Sequence, residues 1–224
     1  MKKMLDKKMS WINDHLNNFI PPKQYIPTLL HLIWVGKSEQ PEEFAGYIAK
    51  WKELMPHWRV RLWTNEDINE TEFEDEVLAR INQAEKGVQK ADIMRYAIIE
   101  KYGGVYMDAD VEPIRCLDPL TQLSDLVICH HNYITWEYIG IGFFAASPNH
   151  PVMKNALKVC MTTDLNTDCP NMTTGPGAFG IAVATTPPPN GKYTLLPIDC
   201  IYWPEGGLTP NRFGRHLFAK NWNT

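Results

Sequence analysis

The chain has 224 residues, 44% hydrophobic and 21% charged, which is enough for a buried core and excludes a disordered or membrane-spanning polypeptide. A net charge of −4 without a long basic run argues against nucleic acid as the main partner. Five scattered cysteines, an odd number with no Cys-x-x-Cys spacing, indicate neither a disulfide framework nor a zinc site and favour reduced thiols in a cytoplasm.

Residues 1–20 read as a basic, partly amphipathic helix ended by Pro21-Pro22, the body of an N-terminal extension over 1–24. It lacks the apolar run of a signal or membrane-spanning helix, and its expected roles are a solvated cap or a peripheral contact with an anionic membrane surface. Leu29–Val35 reads as the first core strand, Glu42–Met55 as a helix stopped by Pro56, and Trp58–Trp63 as an alternating strand. Asn65–Ile81 is acidic and partly helical.

The stretch Lys90–Pro113, KADIMRYAIIEKYGGVYMDADVEP, is the most informative. Ala91, Met94, Ile98 and Tyr102 share one helical stripe, and Asp92, Arg95 and Ile99 another. Gly103-Gly104 supplies a helix stop, and Val105–Met107 a buried strand. Side chains alternate along a strand, so Asp108 and Asp110 are expected to point the same way from one strand end. Carboxylates that close repel unless a cation lies beside them, and the economical reading is a site for Mn²⁺ or Mg²⁺ with positions left for substrate phosphates. The plainer alternative is a pair of solvated turn carboxylates.

Leu126–Cys129, Ile141–Ala146 and Tyr193–Ile198 are further strand candidates. Pro151–Met161 and Ala178–Ala184 read as helices, with a polar loop at Thr163–Thr174. The tail over 206–224 shows little core signal. Strands alternating with helices predict one α/β domain over 1–224 with an open, mostly parallel sheet. Ligands bind such sheets beyond the carboxyl ends of the strands, where Gly36 and Asp108 fall.

ADIMRYAIIEKYGGVYMDADV resembles the DXD region of retaining sugar transferases with the Rossmann-like GT-A fold. The group is that of fungal initiating mannosyltransferases and capsular polysaccharide transferases, with the glucosylating clostridial toxins more distant. IPTLLHLIWVG (26–36) and WKELMPHWRVRLWTNED (51–67) carry the resemblance further, and 140–151, 173–179 and 216–222 echo it in the family's order. It implies a hexosyltransferase using a nucleotide-sugar donor, UDP- or GDP-linked, and a saccharide or lipid-linked acceptor. By the same resemblance Asp110 ligates the metal directly, Asp108 ligates through water or contacts the donor, and His216 completes the metal site. Ile33, Trp34 and Val35 receive the nucleotide, Asp92 and Arg95 contact the donor sugar, and Trp222 contacts the leaving diphosphate, with Asn221 where relatives often have serine and still able to donate or coordinate through its amide. By spacing alone, Tyr106 shares the strand face of Asp108, in reach of a hydrogen bond to the donor. An asparagine of related chains is replaced by Gly140 or Gly142, which puts one sugar or acceptor contact in doubt.

Taken from the residues alone, Asp92 and Arg95 form a surface i,i+3 ion pair, Trp34 and Tyr106 pack in the core, and His31 is structural. Two other functions share the metal site: a nucleotide-sugar hydrolase or nucleotidyltransferase, and a non-catalytic carbohydrate-binding module.

Overall fold

The computed structural model describes residues 23–131, 139–187, 189, 192–202 and 212–219. The expected N-terminal helix and the candidate residues Asn221 and Trp222 lie outside them. Among the described residues six strands form the main sheet: β1 (Leu29–Ile33), β2 (Arg59–Trp63), β3 (Gly104–Met107), β5 (Leu126–His130), β6 (Ile139–Ala146) and β7 (Thr194–Leu196). Their order is β2-β1-β3-β6-β5-β7. β2, β1 and β3 pair in parallel, as do β5 and β7, while β6 runs against both neighbours. The sheet is therefore mostly parallel, with one reversed strand. The short strands β4 (Val111–Pro113) and β8 (Gly214–His216) pair antiparallel in a second, two-stranded sheet.

Strand alternation divides the interior in two. Tyr106, Ile128 and Phe144 face a core made with the helices α2 (Asp75–Gln83), α3 (Gly87–Tyr102), α4 (Pro151–Thr162) and α5 (Pro176–Thr185). Val105, Met107, Val127 and Phe143 face the other core, built with α1 (Glu42–Leu54), β4 and the residues Cys200, Ile201, Tyr202 and Phe213. In the first core Phe144 stacks on Tyr96, Tyr106 and Phe179 at 5.0 to 5.9 Å between centroids. Truncating a side chain so placed costs about 3–5 kcal/mol.

The long motif helix departs from expectation. It is not amphipathic: every residue from Asp92 to Ile99 is buried. Polar side chains on it must then find protein partners, and this decides the character of the site. Its end follows the reading closely. Gly103 has φ of 63° and Gly104 of 103°, and a Cβ on Gly104 would stand 2.6 Å from the Leu29 carbonyl oxygen. The glycines turn the chain from α3 directly into β3 beside β1.

His31 is structural, as read. Its Nδ1 accepts the Trp63 indole N–H at 3.1 Å and its Nε2 donates to the Gly103 carbonyl at 3.0 Å. Burial holds its pKa down at about 4, so the ring is neutral. The tail packs better than its composition indicates: Phe213 is buried, and β8 sits against β4.

Candidate functional site

Asp108 and Asp110 are close together, but not by strand alternation. β3 stops at Met107, and the two residues lie in a turn closed by Val111 N–H donating to the Asp108 carbonyl at 3.1 Å. β8 brings His216 to the same place through its pairing of Val111 with His216. The ligand atoms of Asp108, Asp110 and His216 all lie within 4.8 Å of one another. His216 Nε2 is 3.2 Å from Asp108 Oδ2 and 3.6 Å from Asp110 Oδ1. The group sits at the carboxyl end of β3, next to the start of β6, whose Gly142 carbonyl accepts the Asp108 N–H at 2.8 Å.

The carboxylates differ in electrostatic setting. Burial pushes Asp108 upward, yet the charge of Arg95 and the bonds from His216 and Tyr106 outweigh it and hold it at about 2. Burial raises Asp110, the neighbouring Asp108 adds to this, and His216 opposes it. For His216 burial favours the neutral ring, but the two carboxylates prevail and raise its pKa. Two carboxylates and one imidazole suit a hard or borderline divalent cation. The carboxylates fit such an ion as they stand. His216 fits with one adjustment, because its Nδ1 accepts the Phe218 N–H at 3.0 Å, and ligation by Nε2 would move the ring proton to Nδ1 and break that bond.

Behind the carboxylates stands a buried polar chain. The Tyr106 hydroxyl donates to Asp108 Oδ1 at 2.7 Å. Arg95 Nη1 reaches the same oxygen at 3.3 Å and the Ile141 carbonyl at 2.9 Å, and its guanidinium lies over the Tyr106 ring at 4.5 Å. Arg95 Nη2 is 3.1 Å from Asp92 Oδ1, and Asp92 Oδ2 accepts the Thr174 hydroxyl at 2.8 Å. Asp92 and Arg95 are only 1% and 5% exposed, so the expected surface ion pair is instead interior. Burial lifts Asp92 to about 6 against the pull of Arg95 and Thr174.

The nucleotide-side candidates lie just past β1. Ile33 is buried in the core, while Trp34 and Val35 are half-buried. The Trp34 indole donates to the Ser38 carbonyl at 2.9 Å and meets Phe44 edge-on. The backbone N–H and carbonyl of Gly36 both bond the Asn65 side chain, at 3.0 and 2.8 Å.

Several residues at the site were not among the expected metal ligands or donor contacts. Gly142 is one: a Cβ there would lie 2.6 Å from Asp108 Oδ2 and 3.0 Å from His216 Nε2, so glycine leaves room for the acidic group. Phe218, with φ of 53°, sets its ring 4.4 Å from that of His216. His131, just past β5, meets Tyr202 edge-on at 4.8 Å. A second group, His57, Cys116 and Asp118, also has ligand atoms within 4.8 Å. There Asp118 Oδ1 already takes the Trp58 indole at 2.6 Å and faces His57 at 2.8 Å, which makes it an anchor for the entry to β2.

A mostly parallel sheet with one reversed strand, and an acidic turn at the carboxyl end of a central strand, defines an α/β fold of the GT-A glycosyltransferase type. The glycosyltransferase PaToxG shares it, at 16% identity and a TM-score of 0.56 over 81% of this chain and 76% of that one. Residues 41–127, which hold α3, β3 and both aspartates, match the family described as the glycosyltransferase sugar-binding region containing DXD motif. Inositol phosphoceramide mannosyltransferase 3 of Schizosaccharomyces pombe is 36% identical over 97 residues, covering 42% of this chain and 27% of its own. The mannosyl phosphorylinositol ceramide synthase SUR1 of Saccharomyces cerevisiae is 31% identical over 175 residues, 74% of this chain and 44% of its own. The chain thus spans less than half the length of either relative. Among the described residues no helix is long and apolar enough to cross a membrane.

Proposed function

We propose that the chain is a metal-dependent, retaining hexosyltransferase that moves a sugar from a UDP- or GDP-linked donor to a saccharide or lipid-linked acceptor. The observation that carries this reading is the group Asp108, Asp110 and His216 at the carboxyl edge of the sheet, inside and beside the segment that matches DXD glycosyltransferases. Mannose is the first sugar to test, because both fungal relatives named above are mannosyl enzymes by name.

In this proposal Asp110 and Asp108 hold Mn²⁺ or Mg²⁺, with His216 joining once its Phe218 bond opens. When bound, the ion supplies Lewis-acid neutralisation of the diphosphate charge that develops as the sugar leaves. Tyr106 and Arg95 keep Asp108 ionised and aimed. Arg95 also presents N–H donors toward the donor's sugar and phosphate. Asp92 lies with Arg95 on the donor-sugar side, its carboxylate 3.1 Å from the guanidinium. The backbone at 33–36 and the Trp34 ring edge receive the nucleotide. Asn221 and Trp222 contact the leaving diphosphate, and retention follows from attack on the same face, with the leaving phosphate taking the acceptor's proton. The site works in a cytoplasmic setting, with the N-terminal segment as a peripheral membrane contact.

The test is a panel of nucleotide sugars with Mn²⁺, scored for thermal protection and nucleotide release, with Asp110→Asn as control. A true donor raises the melting temperature by mass action and is turned over only by the wild type. Equal release with and without acceptors would make the protein a hydrolase. Protection without release would make it a binding module.

A further inference from the structure

The segment 163–175 lies against α3 and joins the site through one hydroxyl, at the far end of the polar chain that runs by Asp92 and Arg95 to Asp108. Thr174 is fully buried. Its hydroxyl has one proton, and the short bond is to Asp92 Oδ2 at 2.8 Å, with the Pro170 carbonyl more distant at 3.4 Å. The loop is fixed without Asp92. Gln89 donates to the Leu165 carbonyl at 2.8 Å, the Tyr96 hydroxyl donates to the Gly175 carbonyl at 3.2 Å, and the Cys160 thiol meets the Thr174 carbonyl at 3.5 Å. Thr174 is thus a fixed point, and Asp92 is the group held by it.

We infer that Thr174 is a positioning residue, whose hydroxyl orients Asp92 and through it fixes the direction in which Arg95 presents its guanidinium to Asp108 and the donor. The inference rests on the transferase reading above. Arg95 is gripped on the site side by Asp108 and Ile141, on the far side by Asp92, and at Nε by the Ala91 carbonyl at 3.3 Å, so its plane shifts when one grip changes. Asp92 faces Arg95 from its own helix and Asp108 from the β3–β4 turn, with the uncharged Tyr96 and Cys160 beside it. Without the hydroxyl the buried carboxylate has the guanidinium as its remaining strong partner. It either draws Arg95 away from Asp108 or takes up a proton and releases it.

Thr174→Val keeps the volume and removes the donor; Thr174→Ser restores the donor. Kinetics are read with a nucleotide sugar and Mn²⁺, and the Arg95 Nε–Hε resonance is read in the ligand-free protein. The valine variant is expected to lose tenfold or more in kcat/KM, and the serine variant to stay within twofold of wild type. The Arg95 resonance should shift in the valine variant while that of Arg80 stays put. Unchanged kinetics and an unchanged Arg95 resonance in Thr174→Val would overturn the inference, as would a serine variant no better than valine. If no donor serves the wild type but the Arg95 resonance still shifts, the positioning stands and the transferase reading falls.

Discussion

Arg95→Met isolates the charge at the centre of the buried network while keeping an unbranched side chain against Tyr106. The wild-type guanidinium lies within 3.3 Å of both Asp92 and Asp108, donates to the Ile141 carbonyl at 2.9 Å, and is almost wholly buried. Removing one partner of a buried ion pair costs about 3–5 kcal/mol, because the other charge stays behind without solvent. A surface pair would cost under about 0.5 kcal/mol. For a chain of this size the buried figure corresponds to a fall in melting temperature of roughly 6–20 °C. The sign with pH follows from Asp92. Burial already lifts it to about 6, above its unfolded value, and loss of Arg95 lifts it further. The penalty of the variant is therefore full above that raised pKa and shrinks as pH falls through it. Urea unfolding of wild type and variant at pH 7.5 and pH 5 gives both numbers, and the pair Arg95→Met/Asp92→Asn should regain part of the loss. A cost under about 0.5 kcal/mol at both pH values would refute the buried-network argument.

Asp110→Asn should abolish sugar transfer and the thermal shift produced by Mn²⁺, with a metal-free melting temperature at or above wild type, because it removes a carboxylate that burial and Asp108 already disfavour; calorimetry and a thermal melt check both. Gly142→Ala places a methyl 2.6 Å from Asp108 Oδ2, so Mn²⁺ affinity by calorimetry should fall tenfold or more while the sheet still forms, and unchanged affinity would count against Asp108 as part of the metal site. His31 accepts an N–H at Nδ1, and a proton there would oppose the Trp63 indole. Its folded pKa of about 4 lies below its ordinary value, so stability is lost as pH falls from about 6.5 through about 4, by at most about 3 kcal/mol. An NMR titration that returns an ordinary histidine pKa for His31 would contradict this.

The sequence by itself determined much of the frame. Strand-forming runs at Leu29–Ile33 and Arg59–Trp63, the helix over Glu42–Leu54 before Pro56, and the Gly103-Gly104 turn into β3 all follow from local patterns, since propensity and turn chemistry act over a few residues. The strongest part of the DXD resemblance was equally local, lying within one helix, one turn and one strand, with weaker matches in order before and after it. Tertiary structure decided the rest. The antiparallel course of β6 depends on a partner some forty residues away, and no period in Ile139–Ala146 records its direction. Asp108 and Asp110 met through a turn and the returning strand β8, where strand alternation had been expected to align them. Spacing made Asp92 and Arg95 an i,i+3 surface pair, because sequence separation carries no information on burial. The packing of α3 between the sheet, α2 and α4 turned that pair into the buried link from Thr174 to the metal carboxylates. Charges closed off from water act on one another far more strongly than on a surface, and it is three-dimensional packing that closes them off.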